Sequence, residues 1–324
     1  MARVILLSET GGPEALRLSD TVLTPPGHGE IRLRQTAIGV NYHDVYVRSG
    51  LYQTLPLPGV PGIEAVGVVE ETGAGVTGLK IGDRVGYVSG SYGAYAAERN
   101  LDAALAIRLP DALADAPAAA SLMKALTVCM LVRRVHRLTS DDTILVHAAA
   151  GGVGQLLCQW ARHIGATVIG TVGSIEKAAI AREAGADHCI LYRQEDVAAR
   201  VAELTNGSGV SVAYDSVGAD TFEGSIASLG YEGHLINFGQ SSGPVAPFPP
   251  SLLAARSLSV SRPIVFHYLR TPDRLRAMAE ETFALFEGGI LRPIEPTVLP
   301  LAEAAEAHRL LEARQSPGGI VLVP

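Results

Sequence analysis

Residues 146–154 read VHAAAGGVG, and this stretch decides the fold. An apolar strand, Thr143 to His147, runs into a turn of small residues, and a helix-like segment, Gln155 to His163, follows directly. This order is typical of a βαβ unit, where the backbone approaches a dinucleotide pyrophosphate and the helix N-terminus offers free amides to it. The turn matches a G-x-G-x-x-G motif except that Ala149 stands in the place of the first glycine.

The segments that follow alternate between strands and helices. Strand candidates occur at 166–172, at the end of AREAGADHCILY (181–192), at 210–215 and at 234–239, with helical stretches between them. Such alternation predicts a doubly wound parallel sheet. The sequence therefore predicts an α/β dinucleotide-binding domain, the alternative being an α/β domain with a tight turn and no nucleotide.

Length and composition bound the class of protein. The 324 residues suit two domains, and 48% hydrophobic with only 5% aromatic residues suits buried parallel strands and their covering helices. The 26 basic and 33 acidic side chains leave a formal charge of −7. An acidic balance without a long basic run argues against nucleic acid as a partner.

Targeting signals and cysteines indicate a cytoplasmic protein. The N-terminal MARVILLSETGG has too short an apolar stretch for a secretory signal. The window 112–132 contains Asp115, Pro117 and Lys124, so we expect no membrane span there. The three cysteines are widely spaced among apolar neighbours, which predicts buried free thiols rather than disulfides or a metal cage; they are Cys129, Cys158 and Cys189.

Both ends of the chain differ from the central part. Short β-like runs at 30–37, 64–70 and 84–88 are separated by Gly and Pro, which predicts a mostly antiparallel, partly barrel-like domain. A connecting helix is expected around 124–134. After Pro263 we expect a helix at 272–287, a β-like stretch at 294–299, a helix at 301–314 and a final strand in GGIVLVP (318–324). The predicted domains are 1–124 with 263–324, and 125–262.

Several motifs carry a family resemblance. Residues 59–86, GVPGIEAVGVVEETGAGVTGLKIGDRVG, resemble the signature of the medium-chain dehydrogenase/reductase superfamily, whose members pair a GroES-like catalytic domain with a Rossmann domain. NYHDVYVRSGLY (41–52), HAAAGGVGQLLCQWA (147–161) and YDSVG (214–218) resemble its zinc-independent, zeta-crystallin-like branch of NADPH-dependent quinone oxidoreductases. The resemblance runs from Gly11 to the C-terminus.

The resemblance bears on metal binding. Zinc alcohol dehydrogenases of this superfamily use Cys, His and Cys as catalytic ligands, and this chain has Asn41 and Ile63 in the first two places. The third would come from 121–128, which contains no cysteine, and the four-cysteine structural loop is also missing. Because an amide and an alkyl group cannot replace a thiolate and an imidazole on Zn²⁺, we predict a reductase without a metal.

Cofactor choice depends on the end of the second Rossmann strand. NAD-specific domains place an acid there for the ribose hydroxyls, whereas Gly173 and Ser174 occupy the place here and Lys177 follows one turn later. Considered alone, Lys177 would be interpreted as a solvated surface lysine. Tyr192 and Arg314 resemble residues that contact the 2′-phosphate in quinone oxidoreductases, so the set predicts NADPH.

Other cofactor contacts follow from the resemblance. The pyrophosphate is expected at the glycine turn and the nicotinamide ribose near FGQSS (238–242), while Asn41 and Tyr46 are expected to close over the nicotinamide in a cleft between the domains. The further predicted contacts are Gly151, Gly152, Val153, Gly154, Val217, Phe238, Gly239 and Ser241.

Tyr46, Tyr52 and Asn41 are the predicted catalytic residues. A phenol can hydrogen-bond a quinone oxygen, and the related enoyl-thioester reductases use a tyrosine at the position of Tyr52 as proton donor. The alternative is that both tyrosines only line the cleft. His43 and Asp44 are adjacent on a segment expected to be extended, so we predict no relay between them.

The sequence thus predicts a zinc-independent oxidoreductase that transfers a hydride or electrons from NADPH to a quinone. One alternative is an NADPH-dependent reductase of conjugated C=C bonds in enals, enones or enoyl thioesters. Another is a non-enzymatic crystallin-like or RNA-binding role. The resemblance implies a homodimer, for which LSVSR (258–262) would supply an edge strand.

Overall fold

The computed structural model of the chain describes residues 1–314 and 318–324. The strands are β1 (Ala2–Leu7), β2 (Leu16–Thr21), β3 (Glu30–Val40), β4 (Glu64–Thr72), β5 (Arg84–Val88), β6 (Glu98–Asp102), β7 (Ile107–Arg108), β8 (Thr143–Val146), β9 (Thr167–Val172), β10 (His188–Leu191), β11 (Val210–Asp215), β12 (Leu229–Asn237), β13 (Ser259–Ser261), β14 (Pro296–Pro300) and β15 (Gly319–Val323). The helices are α1 (Tyr42–Arg48), α2 (Asp115–Met130), α3 (Gly152–Ile164), α4 (Ile175–Glu183), α5 (Val197–Leu204), α6 (Phe222–Ser228), α7 (Val265–Tyr268), α8 (Pro272–Glu287) and α9 (Ala304–Glu312).

The chain divides into two compact units. The first comprises residues 1–124, 269–287 and 293–324, and the second comprises 125–268 and 288–292. The sequence prediction had assigned 263–268 and 288–292 to the first domain. Residues 315–317, which the prediction placed in the same domain, lie outside the described part of the chain.

The first unit is built on a mostly antiparallel sheet with the order β14-β15-β3-β4-β5-β7, in which β6 also pairs with β3. The tail contributes β14 and β15, and Val321 in β15 is paired with Gly39 in β3. Apolar side chains from both ends of the chain therefore share one core, including Leu33, Tyr87 and Leu322. The tail strands β14 and β15 thus belong to the sheet of the first unit.

The second unit contains a six-stranded parallel sheet with the order β10-β9-β8-β11-β12-β13. Its core comes from apolar residues of the strands and of the covering helices, and it includes Leu145, Ile169 and Ala213. The predicted doubly wound α/β class is confirmed, and LSVSR supplies the edge strand β13, paired on one side with β12.

Some predicted boundaries were wrong. The strand predicted at 234–239 is β12, which begins at Leu229 and ends at Asn237. The connecting helix predicted around 124–134 begins at Asp115 and continues as a π-helical turn, Leu131–Val135. Pro117 lies in its first turn, where a missing backbone donor costs little. The helix predicted at 301–314 is a 3₁₀ turn followed by α9.

The helical segment Asp115–Val135 is long and apolar enough to cross a membrane by length and composition, despite Asp115 and Lys124. However, 78% of its most apolar window is buried in the structure, as in the core helix of many folded domains. This one segment, found among the described residues, is weak evidence for a membrane span.

None of the three cysteines forms a disulfide in the described structure. Cys129 and Cys158 are buried, and burial raises the pKa of the Cys158 thiol. Cys189 is only half-buried, contrary to the prediction, because it lies in the edge strand β10; its thiol donates to the Ala178 carbonyl at 3.6 Å.

Candidate active site

The glycine turn has the geometry that a pyrophosphate needs. Gly151 is the N-cap of α3, so the first amides of this helix are directed at the turn. A Cβ on Gly154 would lie 2.7 Å from the Cα of Ala149, which only glycine avoids. Ala148 adopts a left-handed conformation with φ of 52°. Gly152 and Val153 begin α3, so the four predicted residues 151–154 lie together at one helix N-terminus.

The predicted 2′-phosphate residues of the second unit also lie together. Ser174 is the N-cap of α4, and its hydroxyl accepts a hydrogen bond from the backbone N–H of Lys177 at 3.3 Å. A Cβ on Gly173 would lie 2.9 Å from the Tyr192 hydroxyl. The absence of a side chain at Gly173 therefore leaves room for Tyr192, which is 40% exposed.

Arg314, the fourth member of that predicted set, lies in the first unit. It follows α9 in a left-handed conformation with φ of 57°. A hydrogen bond from Arg314 lowers the pKa of Tyr42, although burial, the larger effect, raises that pKa overall. The structure therefore places Arg314 beside α1 of its own unit.

Two loops at the carboxyl ends of β11 and β12 are joined by backbone hydrogen bonds. Ser241 donates to the Ser216 carbonyl at 3.3 Å, and Ser242 donates to the Val217 carbonyl at 2.9 Å. A Cβ on Gly239 would lie 2.9 Å from the Cα of Ser216. Val217, Phe238, Gly239 and Ser241 are thereby brought to the sheet edge where open parallel sheets bind ligands.

Asp215 and His147 belong to a hydrogen-bonded network at this edge of the sheet. Neither residue was predicted to be part of the site. Asp215 accepts hydrogen bonds from the backbone N–H of Val217 at 2.8 Å and from the Ser225 hydroxyl at 3.1 Å. The Ser225 hydroxyl also lies 2.9 Å from Nε2 of His147, whose Nδ1 lies 3.1 Å from the Thr171 hydroxyl. Burial lowers the pKa of His147. The chain of contacts thus connects three strands of the parallel sheet.

In the first unit, residues 41–48 form a capped helix rather than the predicted extended segment. Asn41 is the N-cap of α1, and the Asp44 carboxylate accepts a hydrogen bond from the Asn41 backbone N–H at 2.8 Å. An N-cap Asn followed three residues later by an acid is a capping signature, which the sequence analysis overlooked. Asp44 also accepts from the Tyr95 hydroxyl at 3.2 Å, so it fixes the position of this helix start.

Aromatic rings pack around His43. The Tyr52 ring lies edge-on at 5.5 Å between centroids, and the Tyr92 ring is stacked at 5.9 Å, with its hydroxyl 3.1 Å from Nε2 of His43. Tyr46 and Tyr52 form a further edge-to-face pair at 5.1 Å. Burial lowers the pKa of His43 to about 4, so its imidazole is neutral at pH 7. The predicted catalytic tyrosines are therefore neighbours in an apolar, aromatic group.

Asn41 also lies between two buried charges. Its Nδ2 donates to Oε2 of Glu64 at 2.8 Å, and its Oδ1 accepts from Nζ of Lys124 at 3.3 Å. The other carboxylate oxygen of Glu64 accepts from the Met123 backbone N–H at 2.6 Å. Glu64 is fully buried, while Asn41 and Lys124 each retain 8% exposure. Burial raises the pKa of Glu64 and lowers that of Lys124.

The resemblance places Asn41 and Ile63 at the first two zinc-ligand positions, and this polar cluster is built around Asn41. Ile63 is fully buried and apolar, and Asn41 is bonded to Glu64 and Lys124. Within residues 1–314 and 318–324, no three His, Cys, Asp or Glu side chains form a group that could hold a metal ion.

The roles of Glu64, Lys124 and Asp215 were not predicted from the sequence. A signal was present, because each is a charged residue within or at the end of an otherwise apolar run: GIEAVGVV, SLMKALTV and VAYDS. Charges that must be buried with such segments are paired or hydrogen-bonded in folded proteins. The partners could not be identified from the sequence because they lie on other elements.

Family models match both parts of the chain. Residues 27–111 match the alcohol dehydrogenase GroES-like domain, and residues 152–283 match the zinc-binding dehydrogenase model.

Relatives match over the full length. The chain is 46% identical to a quinone oxidoreductase of Pseudomonas aeruginosa, with 100% of both chains covered. The crystal structure of Escherichia coli quinone oxidoreductase complexed with NADPH superposes with a TM-score of 0.96 at 41% identity, again over 100% of both chains. A 2-haloacrylate reductase of Burkholderia sp. is 39% identical, covering 100% of this chain and 99% of the relative.

Proposed function

Because the chain belongs to the quinone oxidoreductase family of the medium-chain dehydrogenase/reductase superfamily, we propose that it reduces quinones with NADPH without zinc. The observation that carries the proposal is a glycine turn able to hold a dinucleotide in a chain whose Asn41, expected in place of the first zinc ligand, is hydrogen-bonded to Glu64 and Lys124. It is an oxidoreductase with a mostly-β GroES-like domain and a Rossmann domain.

The residues of the second unit fit NADPH. The amides at the start of α3 suit the pyrophosphate, and the joined loops after β11 and β12 suit the nicotinamide ribose. We propose that Ser174, Lys177 and Tyr192 bind the 2′-phosphate, with Arg314 as a further cation for it. When bound, the cofactor supplies a hydride, and the quinone takes up one further proton to become a hydroquinone.

We propose that Tyr46, Tyr52 and Asn41 contact the acceptor. The aromatic group offers an apolar wall of ring edges and faces against which a planar quinone can pack, and the phenols and the amide offer donors for the oxygen that becomes negative. His43 is neutral at pH 7 and is engaged with Tyr92, so it holds the wall rather than delivering protons.

A second candidate activity is the reduction of conjugated C=C bonds. The likeness to a 2-haloacrylate reductase favours it, since that relative is named for an unsaturated acid. This reaction needs a proton at carbon after hydride addition, and Tyr52 is the candidate donor.

We propose that the protein is a cytoplasmic homodimer whose partner is a small molecule rather than nucleic acid or a membrane. Support comes from three cysteines that form no disulfide in the described structure, the charge of −7 and the edge strand β13, which is paired on one side only in the described chain. Sedimentation equilibrium tests the dimer, because a monomer would give a mass of 33.9 kDa.

The deciding experiment is a panel of acceptors assayed on one preparation with NADPH and NADH. We expect saturable oxidation of NADPH with 1,4-benzoquinone and weaker activity with NADH. Failure of the purified protein to bind either nicotinamide cofactor would overturn the proposal.

A further inference from the structure

Two oppositely charged side chains, Glu64 and Lys124, contact the Asn41 side chain. Asn41 lies directly after β3, whereas Glu64 begins β4 and Lys124 lies in α2. Three separate elements therefore converge on a single amide. Such a convergence of buried charges costs free energy unless every partner is satisfied, so it calls for a functional reason.

The charged side chains of Glu64 and Lys124 permit only one orientation of the Asn41 amide. A carboxylate only accepts hydrogen bonds and an ammonium only donates them. Nδ2 of Asn41 must therefore face Glu64, and Oδ1 must face Lys124. A flipped amide would set oxygen against carboxylate and N–H against ammonium.

The fold makes room for this arrangement at Gly39. A Cβ on Gly39 would lie 2.8 Å from Cδ of Glu64, so a side chain there would displace the carboxylate. Asp44 holds the Asn41 backbone from a third side at 2.8 Å. The position of both the backbone and the side chain of Asn41 is thus set by its neighbours.

We propose that Glu64 and Lys124 are positioning residues that lock and polarise the Asn41 amide, so that its remaining Nδ2 hydrogen is donated to the acceptor oxygen during reduction. This inference rests on the proposed function of Asn41. Lys124 withdraws electron density through Oδ1 and so strengthens the N–H groups of the same amide, as in cooperative hydrogen-bond chains. Glu64 takes one of the two Nδ2 hydrogens and fixes the direction of the other.

The effects of charge and of position can be separated with two variants of the full-length enzyme. Lys124→Met leaves the Glu64 charge buried and unbalanced, so both the melting temperature and kcat with 1,4-benzoquinone should fall. Glu64→Gln with Lys124→Met removes both charges. We expect this pair to recover most of the melting temperature while kcat stays at least about tenfold below wild type, because the amide is no longer locked.

Non-additivity tests whether Lys124 acts through Asn41. Asn41→Leu should lower kcat by itself, and adding Lys124→Met to it should change kcat by less than about twofold, since coupled residues do not add. The matched control is Lys80→Met, at an exposed position, which should leave kcat unchanged. Recovery of kcat together with stability in the Glu64→Gln/Lys124→Met variant would overturn the proposal, as would equal effects of Lys124→Met in both backgrounds.

A spectrum of asparagine-labelled protein tests the lock without turnover. The chain contains four asparagines, so the Asn41 side-chain amide signals can be assigned by their loss in Asn41→Leu. We expect two well-separated proton signals that move strongly in Lys124→Met and in Glu64→Gln. Unchanged signals would overturn the lock. If the wild-type enzyme shows two well-separated Asn41 amide signals but does not reduce quinone, the proposed function is overturned. The catalytic part of the inference is then overturned with it.

Discussion

The Cβ of Ala149 faces the bare Cα of Gly170, and a Cβ built on Gly170 would lie only 2.6 Å from it. Ala149 is fully buried in the glycine turn, and its backbone N–H donates to the Thr171 carbonyl next to Gly170. The alanine that interrupts the glycine motif is thus accommodated because the neighbouring strand β9 carries a glycine. The two positions together supply the space that the first glycine of the motif usually provides.

This contact predicts that Gly170→Ala will overpack the turn. We expect a loss of about 1–3 kcal/mol in the free energy of unfolding and a higher KM for NADPH, because the turn must shift away from the pyrophosphate. Thermal unfolding and NADPH titration measure the two effects. Ala149→Gly in the same chain should restore both, and Gly224→Ala is the matched control, since a Cβ there meets nothing within 4 Å. A double variant as impaired as Gly170→Ala would contradict the contact.

Lys177 should discriminate between the two nicotinamide cofactors. Removing a cation next to a 2′-phosphate affects only the phosphorylated cofactor, so Lys177→Ala should raise KM for NADPH about tenfold, which corresponds to about 1.4 kcal/mol. KM for NADH should change by less than about twofold. Added salt should reduce the difference in KM for NADPH between wild type and Lys177→Ala, because it screens the attraction between the lysine and the phosphate. Lys80→Ala serves as the control, and parallel rises with both cofactors would refute the phosphate role.

The sequence predicted the elements better than the contacts. The glycine turn and the alternation at 166–215 follow from local periodicity and turn residues, which act within a few positions. By contrast, the Ala149–Gly170 and Asn41–Glu64–Lys124 relationships join residues 21, 23 and 83 positions apart. Helix α1 was missed because seven residues with three aromatic rings show little periodicity, and only the capping of Asn41 by Asp44 marks it.

Asp44 predicts a pH dependence of stability. Burial raises the pKa of Asp44 to about 7, and its Oδ1 has no hydrogen-bond partner among the residues that the structure describes. Between pH 4 and 7 the folded chain therefore binds a proton that the unfolded chain has released, so this residue makes stability fall as pH rises through that range.

Asp44→Asn should remove this slope and keep the acceptor for the Asn41 backbone. We expect the variant to be more stable than wild type at pH 8 and similar at pH 4, as measured by urea unfolding across pH. Asp83→Asn is the comparison, because a hydrogen bond from Arg108 lowers the pKa of Asp83. Removing the Asp83 carboxylate should therefore change the slope of stability against pH in the opposite direction to Asp44→Asn. Identical pH profiles for wild type and Asp44→Asn would show that Asp44 titrates normally.

Tyr52 should separate the two candidate reactions. A quinone that has accepted a hydride leaves as a stabilised anion, so it needs no strong acid, whereas a reduced C=C bond must be protonated at carbon. Tyr52 packs against Tyr46 and His43, and its backbone N–H donates to the Tyr46 carbonyl at 2.9 Å, so Tyr52→Phe should preserve the wall. We expect kcat for 1,4-benzoquinone to change less than about threefold, and turnover of an enone to fall at least about a hundredfold, within the usual range for a lost general acid. Tyr231→Phe is the control, since Tyr231 is 83% exposed. Equal losses on both acceptors would mean that the Tyr52 hydroxyl serves binding or packing and donates no essential proton.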